Sequence, residues 1–357
     1  MQMTDEEKTL NDGISAENGE MTENRNVKEG KGDDGLSEPV RGNFLSSDGR
    51  TAISFYTVEP EGVPRAIVQV SHGMSEYAGR YLEFGRYLAA HGIMFAANDH
   101  LGHGETARTA DDLGFFAEKD GYVLLVEDLH KFTLLLKQKY PGTPLILFGH
   151  SMGSFLVRMY LSRYAEELAG AVICGTGGPG SPTGLGIAMA DIISFFRGER
   201  HRSRLITGIA FGGYNKRFPK DEGIFAWTTG DPVIRKKYED DPKSGFMFTV
   251  SGFRDLFRMI AEVSTDEWAA GVPTDLPILI VSGTEDPVGG YGKGVRKVAA
   301  MLGGAGAKRL TVRLFEGDRH EILNEKDRAG VMEFITGWID GVLAGGPADG
   351  QTGREGE

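Results

Sequence analysis

The feature that most constrains this chain of 357 residues is a rhythm, in which short apolar runs alternate with stretches of helical periodicity. Runs at 66–71, 93–97, 145–148, 171–174, 278–282 and 310–315 read as strands, and several are apolar on consecutive residues, as in Leu145-Ile146-Leu147-Phe148. Strands buried on both faces have that composition, so the pattern predicts a mostly parallel sheet. Between the runs, Tyr122, Leu125, Val126, Leu129, Phe132 and Leu136 share one face of a helix over 121–139, with Asp120 as its expected N-cap. Val331, Phe334, Ile335, Trp338, Ile339 and Val342 form a second such stripe. Strand and helix taking turns in this way specify an α/β fold with helices on both faces of the sheet.

The rhythm lapses over 176–272, which holds Gly/Pro-rich turns, an apolar stretch at 187–196 and an aromatic run of Phe246, Phe248, Phe253 and Phe257. An interval this long without strand signals predicts an inserted, mainly helical cap that divides the core into 41–175 and 273–343. Residues 1–40 carry eleven acidic and four basic side chains and almost no large apolar ones, so they are expected to be disordered, as are 344–357. The first forty residues contribute −7 and those after Gly345 −2 to the formal charge of −12, which leaves a mildly acidic body. No Lys/Arg stripe is present to neutralise phosphates, which argues against nucleic-acid binding. No apolar run is long enough to span a bilayer, and the acidic N-terminal segment does not read as a secretory signal. The one cysteine, Cys174, excludes an internal disulfide, reads as a small buried hydrophobe and suits a reducing cytoplasm.

Gly149-His150-Ser151-Met152-Gly153 follows the apolar run at 145–148 and opens a helical pattern. A sharp strand-to-helix turn needs small residues two positions either side of its serine, and it exposes the hydroxyl as a nucleophile. With Gly at 52 the pentapeptide is weak evidence by itself. Shuffling would give roughly 0.3–0.4 matches in a chain like this, so the strand and helix around it carry the inference.

A serine hydroxyl needs a base and an orienting acid, and on such a fold these follow it in the order acid, then histidine. The run at 278–282 leads into Asp286, and the run at 310–315 leads into His320, so Ser151, Asp286 and His320 all fall at the carboxyl edge of one sheet. Glu285 and Asp318 are the nearby competitors for the acid. His72, His100 and His103 precede the serine, His91 and His130 lie in helical patterns, His201 lies in the cap, and His150 points elsewhere from the elbow. His100 and His103, two histidines three apart in a Gly-rich turn beside Asp99, make a thin case for a metal site, so no metal or other cofactor is expected.

These motifs together resemble the monoacylglycerol lipases and the related lysophospholipase-like and aminopeptidase-like α/β-hydrolases. The matching segments are Ser71-His72-Gly73-Met74-Ser75-Glu76-Tyr77-Ala78-Gly79-Arg80-Tyr81, Asp99-His100-x-Gly102-His103-Gly104 and Gly149-His150-Ser151-Met152-Gly153. Ser282-Gly283-x-x-Asp286-Pro287-Val288 and His320-Glu321 complete a set that spans about 43–342 in family order. The resemblance implies the α/β-hydrolase fold, with Asp286 and His320 as acid and base. It also implies that the Met74 and Met152 amides form an oxyanion hole, that His72 is structural, and that Asp99 to Gly104 turns beneath the site. Within the cap, Gly230-Asp231-Pro232 and Asp241-Pro242 with Gly245-Phe246 are similar to the bacterial branch, whereas about 182–215 matches nothing.

The expected activity is hydrolysis of carboxylic esters of small lipid-like substrates through an acyl-enzyme, with cap residues such as Phe195, Phe196 and Phe246 lining an acyl channel. Lysophospholipase activity is a neighbouring reading. An aminopeptidase-like amide hydrolase would capture the substrate's amino group with Asp221, Glu222, Glu239, Asp240 or Asp241. A hydrolase fold that binds a small molecule without catalysis is a third alternative. The sequence leaves the oligomeric state open.

Overall fold

The computed structural model describes residues 21–23 and 38–345. Nine strands form one sheet: β1 (Thr22–Glu23), β2 (Val40–Leu45), β3 (Ala52–Val58), β4 (Ala66–Ser71), β5 (Ile93–Asn98), β6 (Leu145–His150), β7 (Gly170–Cys174), β8 (Ile278–Gly283) and β9 (Leu310–Phe315). Their spatial order is β1-β2-β3-β5-β4-β6-β7-β8-β9, antiparallel from β1 to β5 and parallel from β5 to β9. Every parallel strand except the edge strand β9 is buried along its length, which is why these strands read as consecutive apolar runs.

The expected tails 1–40 and 344–357 fall largely outside the described residues, but Thr22–Glu23 corrects the first of them. It pairs with Gly42 and Asn43 of β2, and Glu23 forms an ion pair with Lys139. Gly42 permits this approach, because a Cβ there would lie 2.6 Å from the Thr22 carbonyl oxygen.

Successive side chains along the parallel strands point to opposite faces and meet different helices. On one face Val68, Phe95, Ile146, Phe148, Leu279 and Val281 pack with Phe84 and Leu88 of α1 (Leu82–Ala90) and with Ile335 and Trp338 from the C-terminal helix. On the other, Ile67, Met94, Leu145, Leu147, Ile173 and Ile280 pack with α2 (Gly121–Lys139) and α3 (Met152–Leu161). Asp120 does not cap α2: its backbone is left-handed (φ 52°), and its carboxylate accepts from Arg258 Nη1 at 2.6 Å. Asp255, from a later helix, instead lies against the start of α2, where a Cβ on Gly121 would be 2.6 Å from its Oδ2.

Between β7 and β8 the chain forms α4 (Thr183–Arg197), α5 (Arg204–Phe211), α6 (Pro232–Asp240), α7 (Val250–Glu262) and α8 (Asp266–Ala270), with short 3₁₀ turns and no strand among the described residues. Ser203, Asp231, Thr249 and Thr265 accept hydrogen bonds from the first-turn N–H groups of α5, α6, α7 and α8, so four of the five helices carry a side-chain N-cap. Arg158 of α3 joins both ends of this insert, donating to the carbonyls of Gly177 (2.9 Å) and Val263 and lying 4.4 Å from the Trp268 ring. Burial, with no carboxylate partner among the described residues, lowers its pKa to about 9. The core resumes after β8 with α9 (Lys293–Gly304) and, after β9, ends in α10 (Arg328–Leu343).

Candidate active site

Ser151 stands between the end of β6 and the first residue of α3, with φ 54° and ψ −119°. A non-glycine residue there stores on the order of 1–3 kcal/mol of strain, which the surroundings must hold. The Ser151 N–H donates to the Cys174 carbonyl (3.0 Å), and its own carbonyl accepts from the Ser154 N–H (2.9 Å) and Oγ (2.5 Å). The flanking glycines are required by contact: a Cβ on Gly153 would lie 2.0 Å from the Ser71 carbonyl oxygen. Ser71 is held in β4 and Gly153 in the first turn of α3, so Gly153→Ala should destabilise the fold by about 3 kcal/mol. Urea unfolding would read this as a lowered midpoint, and an unchanged midpoint would contradict the contact.

Asp286 follows β8 and His320 follows β9, and both are buried. His320 Nδ1 donates to Asp286 Oδ1 at 2.9 Å, while Asp286 also accepts from the Val288 N–H (2.8 Å) and the Ser282 hydroxyl (2.9 Å). Burial alone would raise the pKa of Asp286, but the His320 charge and these hydrogen bonds outweigh it and hold the carboxyl below its ordinary value. The other ring nitrogen, His320 Nε2, is buried without a hydrogen-bond partner among the described residues. The His320 ring lies beside Gly175, where a Cβ would meet its Cε1 at 3.1 Å, next to the Cys174 carbonyl that receives the Ser151 amide.

Of the competing acids, Glu285 lies near Arg217 (3.9 Å), and Asp318 is pushed up to about 7 by burial and by the charges of Asp327 and Glu325. Met152 opens α3, where the first N–H groups lack intrahelical acceptors, and its amide meets no acceptor among the described residues. The Met74 amide is likewise unpaired there, and Gly73 beside it approaches the elbow so closely that a Cβ would be 3.0 Å from Ser151 Cβ. Ser75, next in the loop, has φ 55° and is held by its hydroxyl to the Phe246 carbonyl (2.7 Å) and by Tyr238 to its own carbonyl (3.0 Å).

The three early histidines are buried parts of this scaffold. His72 Nε2 accepts the His100 N–H (3.0 Å), so its Nδ1 carries the proton and donates to the Gly73 carbonyl (2.8 Å). Burial lowers its pKa to about 4 and those of His100 and His103 well below the ordinary value, so all three are neutral at pH 7. Asp99 receives the Ala78 and Glu105 amides (both 2.8 Å), closing the turn through Gly104, whose φ of 49° and contact with the carboxylate exclude a side chain.

Beneath the elbow runs a buried chain of charges that sequence reasoning missed. His150 Nδ1 faces Glu76 Oε1 (3.0 Å) and Nε2 faces the His320 carbonyl (3.3 Å). Both partners only accept, so both nitrogens carry protons and His150 is an imidazolium. Burial opposes that charge, but Glu76 outweighs it and raises the His150 pKa, while Glu76 itself is held well below the carboxylate range despite burial. Arg80 bridges Glu76 (2.6 Å) to Glu321 (3.0 and 2.6 Å). The Glu76–Arg80 pair, four residues apart, was visible in the motif, but Glu321 lies 241 residues beyond Arg80.

The proposed channel residues divide. Phe246 packs against His103 (5.4 Å between ring centroids), near the Met74–Ser75 turn. Phe195 and Phe196 are 83% and 75% exposed and stack edge-on against each other, so neither lines an interior channel. Helical periodicity shows that α4 is apolar but not which side of it meets the protein, and here its inner face is taken by contacts such as Gly186 on Phe257.

Known proteins agree with this architecture. The family model "Serine aminopeptidase, S33" matches residues 62–327. A monoacylglycerol lipase of Mycolicibacterium smegmatis is 26% identical over 285 residues, covering 78% of this chain and 90% of that protein. Human monoglyceride lipase is 24% identical over 310 residues, covering 83% and 89%. Among solved structures, a thermostable carboxyl esterase from Bacillus coagulans, in complex with glycerol, superposes with a TM-score of 0.80 at 30% identity, covering 85% of this chain and 99% of its own. The chain therefore belongs to the serine aminopeptidase S33 family of α/β-hydrolases, and within it is a monoacylglycerol lipase-like carboxylic ester hydrolase.

Proposed function

We propose that Ser151, His320 and Asp286 form a catalytic triad that hydrolyses monoacylglycerol-like esters, with the segment between β7 and β8 acting as the substrate-selecting cap. The observation that carries this reading is the state of His320, whose Nδ1 is fixed on Asp286 while its buried Nε2 has no partner among the described residues. A ring held in that tautomer can take a proton at Nε2 from a hydroxyl that reaches it. Ser151 attacks the ester carbonyl as His320 Nε2 takes its proton, and the Met74 and Met152 amides receive the developing oxyanion. His320 then protonates the departing alcohol; its freed Nε2 takes a proton from water, which attacks the acyl carbon, and returns that proton to Ser151 Oγ as the acid leaves. Asp286 stays ionised throughout and stabilises the transient imidazolium.

The similarity to two monoacylglycerol lipases and a carboxyl esterase supports the substrate class. For the aminopeptidase alternative, three of the five candidate carboxylates already have partners. Glu222 is paired with Arg319 and Arg235, Asp240 with Lys236, and Asp241 accepts from the Lys243 amide. A panel of monoacylglycerols, lysophospholipids and proline β-naphthylamide tests the reading. Turnover should be highest on monoacylglycerols, and turnover of the arylamide alone would overturn it. Labelling of Ser151 by a fluorophosphonate separates an enzyme from a non-catalytic receptor. With p-nitrophenyl esters, medium or long acyl groups should be preferred, and a preference for acetate would remove the acyl channel from the proposal.

A further inference from the structure

We propose that Glu222 of the insert, acting through Arg319, is a positioning residue for His320, so that the base is aligned only while the insert is seated. This rests on His320 being the base. The loop after β9 is joined to the insert from Arg319 to Glu325. The His320 N–H donates to the Trp227 carbonyl (3.3 Å) and the Glu321 N–H to that of Thr228 (2.7 Å), while the Thr229 hydroxyl donates to the Asn324 carbonyl (2.9 Å). The Glu325 carboxylate accepts from the Gly230 amide of the insert (2.9 Å) and from the Arg319 amide of the loop (3.0 Å). Trp227 also lies 5.0 Å from the His320 ring.

Arg319, the residue before the base, turns its side chain into the insert. Its guanidinium meets both oxygens of Glu222 (2.6 and 3.3 Å), donates to the Ala226 carbonyl and covers the Phe218 ring at 4.3 Å. Arg235 of α6 holds the same carboxylate at 3.0 Å. A two-pronged charged contact fixes direction as well as distance. Together these bonds leave His320 with Asp286 on the core side and the insert on the other. A misplacement of about 1 Å at a reacting group can cost two orders of magnitude in rate, so a partial loosening should cost about tenfold.

The test compares wild type, E222Q, R319Q and the double variant on p-nitrophenyl acetate and p-nitrophenyl octanoate, with H320A alongside. E222Q should lower kcat about tenfold on both esters and change KM by less than about twofold, since the fault lies in the base and not in acyl binding. R319Q should match it, and the double variant should lose no more than either single one, because the two act as a pair. Unchanged kcat on acetate, a loss confined to octanoate, or additive losses would each overturn the coupling. Should E222Q fail to fold, R319K carries the same test, since it keeps the charge but lacks the fork. Its expected result is a kcat loss on both esters, and wild-type kcat would overturn the proposal. Activity in H320A would instead remove the assignment of the base, which separates that failure from this one.

Discussion

Ser151→Ala is expected to lower kcat by a factor on the order of 10⁶ and to leave the fold intact. The activity loss follows from the chemistry, because without the hydroxyl no acyl-enzyme forms and His320 has nothing to activate. The intact fold follows from the structure. The hydrogen bonds that fix Ser151 run through its backbone, to the Cys174 carbonyl and from Ser154, and Ala retains all of them. Alanine also bears the same left-handed strain at φ 54°, so the unfolding free energy should change by less than about 1 kcal/mol. Steady-state hydrolysis of p-nitrophenyl butyrate and urea unfolding followed by tryptophan fluorescence measure the two quantities separately. Variant activity within tenfold of wild type would remove Ser151 as nucleophile.

The contrast with what lay outside the sequence's reach is physical. The parallel strands were legible because burial on both faces demands consecutive apolar residues, as in Leu145-Ile146-Leu147-Phe148. β2 was not, because Arg41 and Asn43 alternate with buried Gly42 and Phe44, and β3 was not, because Ser54 and Thr57 interrupt its apolar residues. Ser151, Asp286 and His320 could be nominated because each follows a strand, and strand ends are visible one segment at a time. The contacts that surround them are pairwise and distant. Arg80 and Glu321 are 241 residues apart, and Glu222 and Arg319 are 97, with nothing in either local pattern to mark the partner. Phe195 and Phe196 show the opposite limit, since a stripe of apolar residues on α4 does not reveal that its outer face stays exposed. The same holds for Asp120, whose position before a helix suggested a cap until its left-handed backbone turned it toward Arg258.

Asp286→Asn is expected to lower kcat at pH 7, by less than the roughly 10⁴-fold that accompanies loss of the productive histidine tautomer. The carboxylate accepts three hydrogen bonds, from His320 Nδ1 and the Val288 amide at Oδ1 and from the Ser282 hydroxyl at Oδ2. Two of those donors share Oδ1, so an asparagine must present its carbonyl there and its NH₂ to Ser282, whose hydroxyl can reverse and accept. The variant can therefore keep the orientation of His320, and what it loses is the negative charge that stabilises the imidazolium. That separates charge from geometry: the Nδ1–H tautomer should survive, readable in the imidazole ¹⁵N shifts, while the rate falls. A pH dependence follows with a definite sign. Because the folded protein holds Asp286 below its ordinary value of 3.8, the resulting stability is present above that value and disappears as pH falls through the lower, folded pKa. Wild type should thus lose more stability than the variant on going from pH 5 to about 2. Parallel acid-unfolding curves with a kcat close to wild type would mean that Asp286 supplies neither the charge nor the anchor.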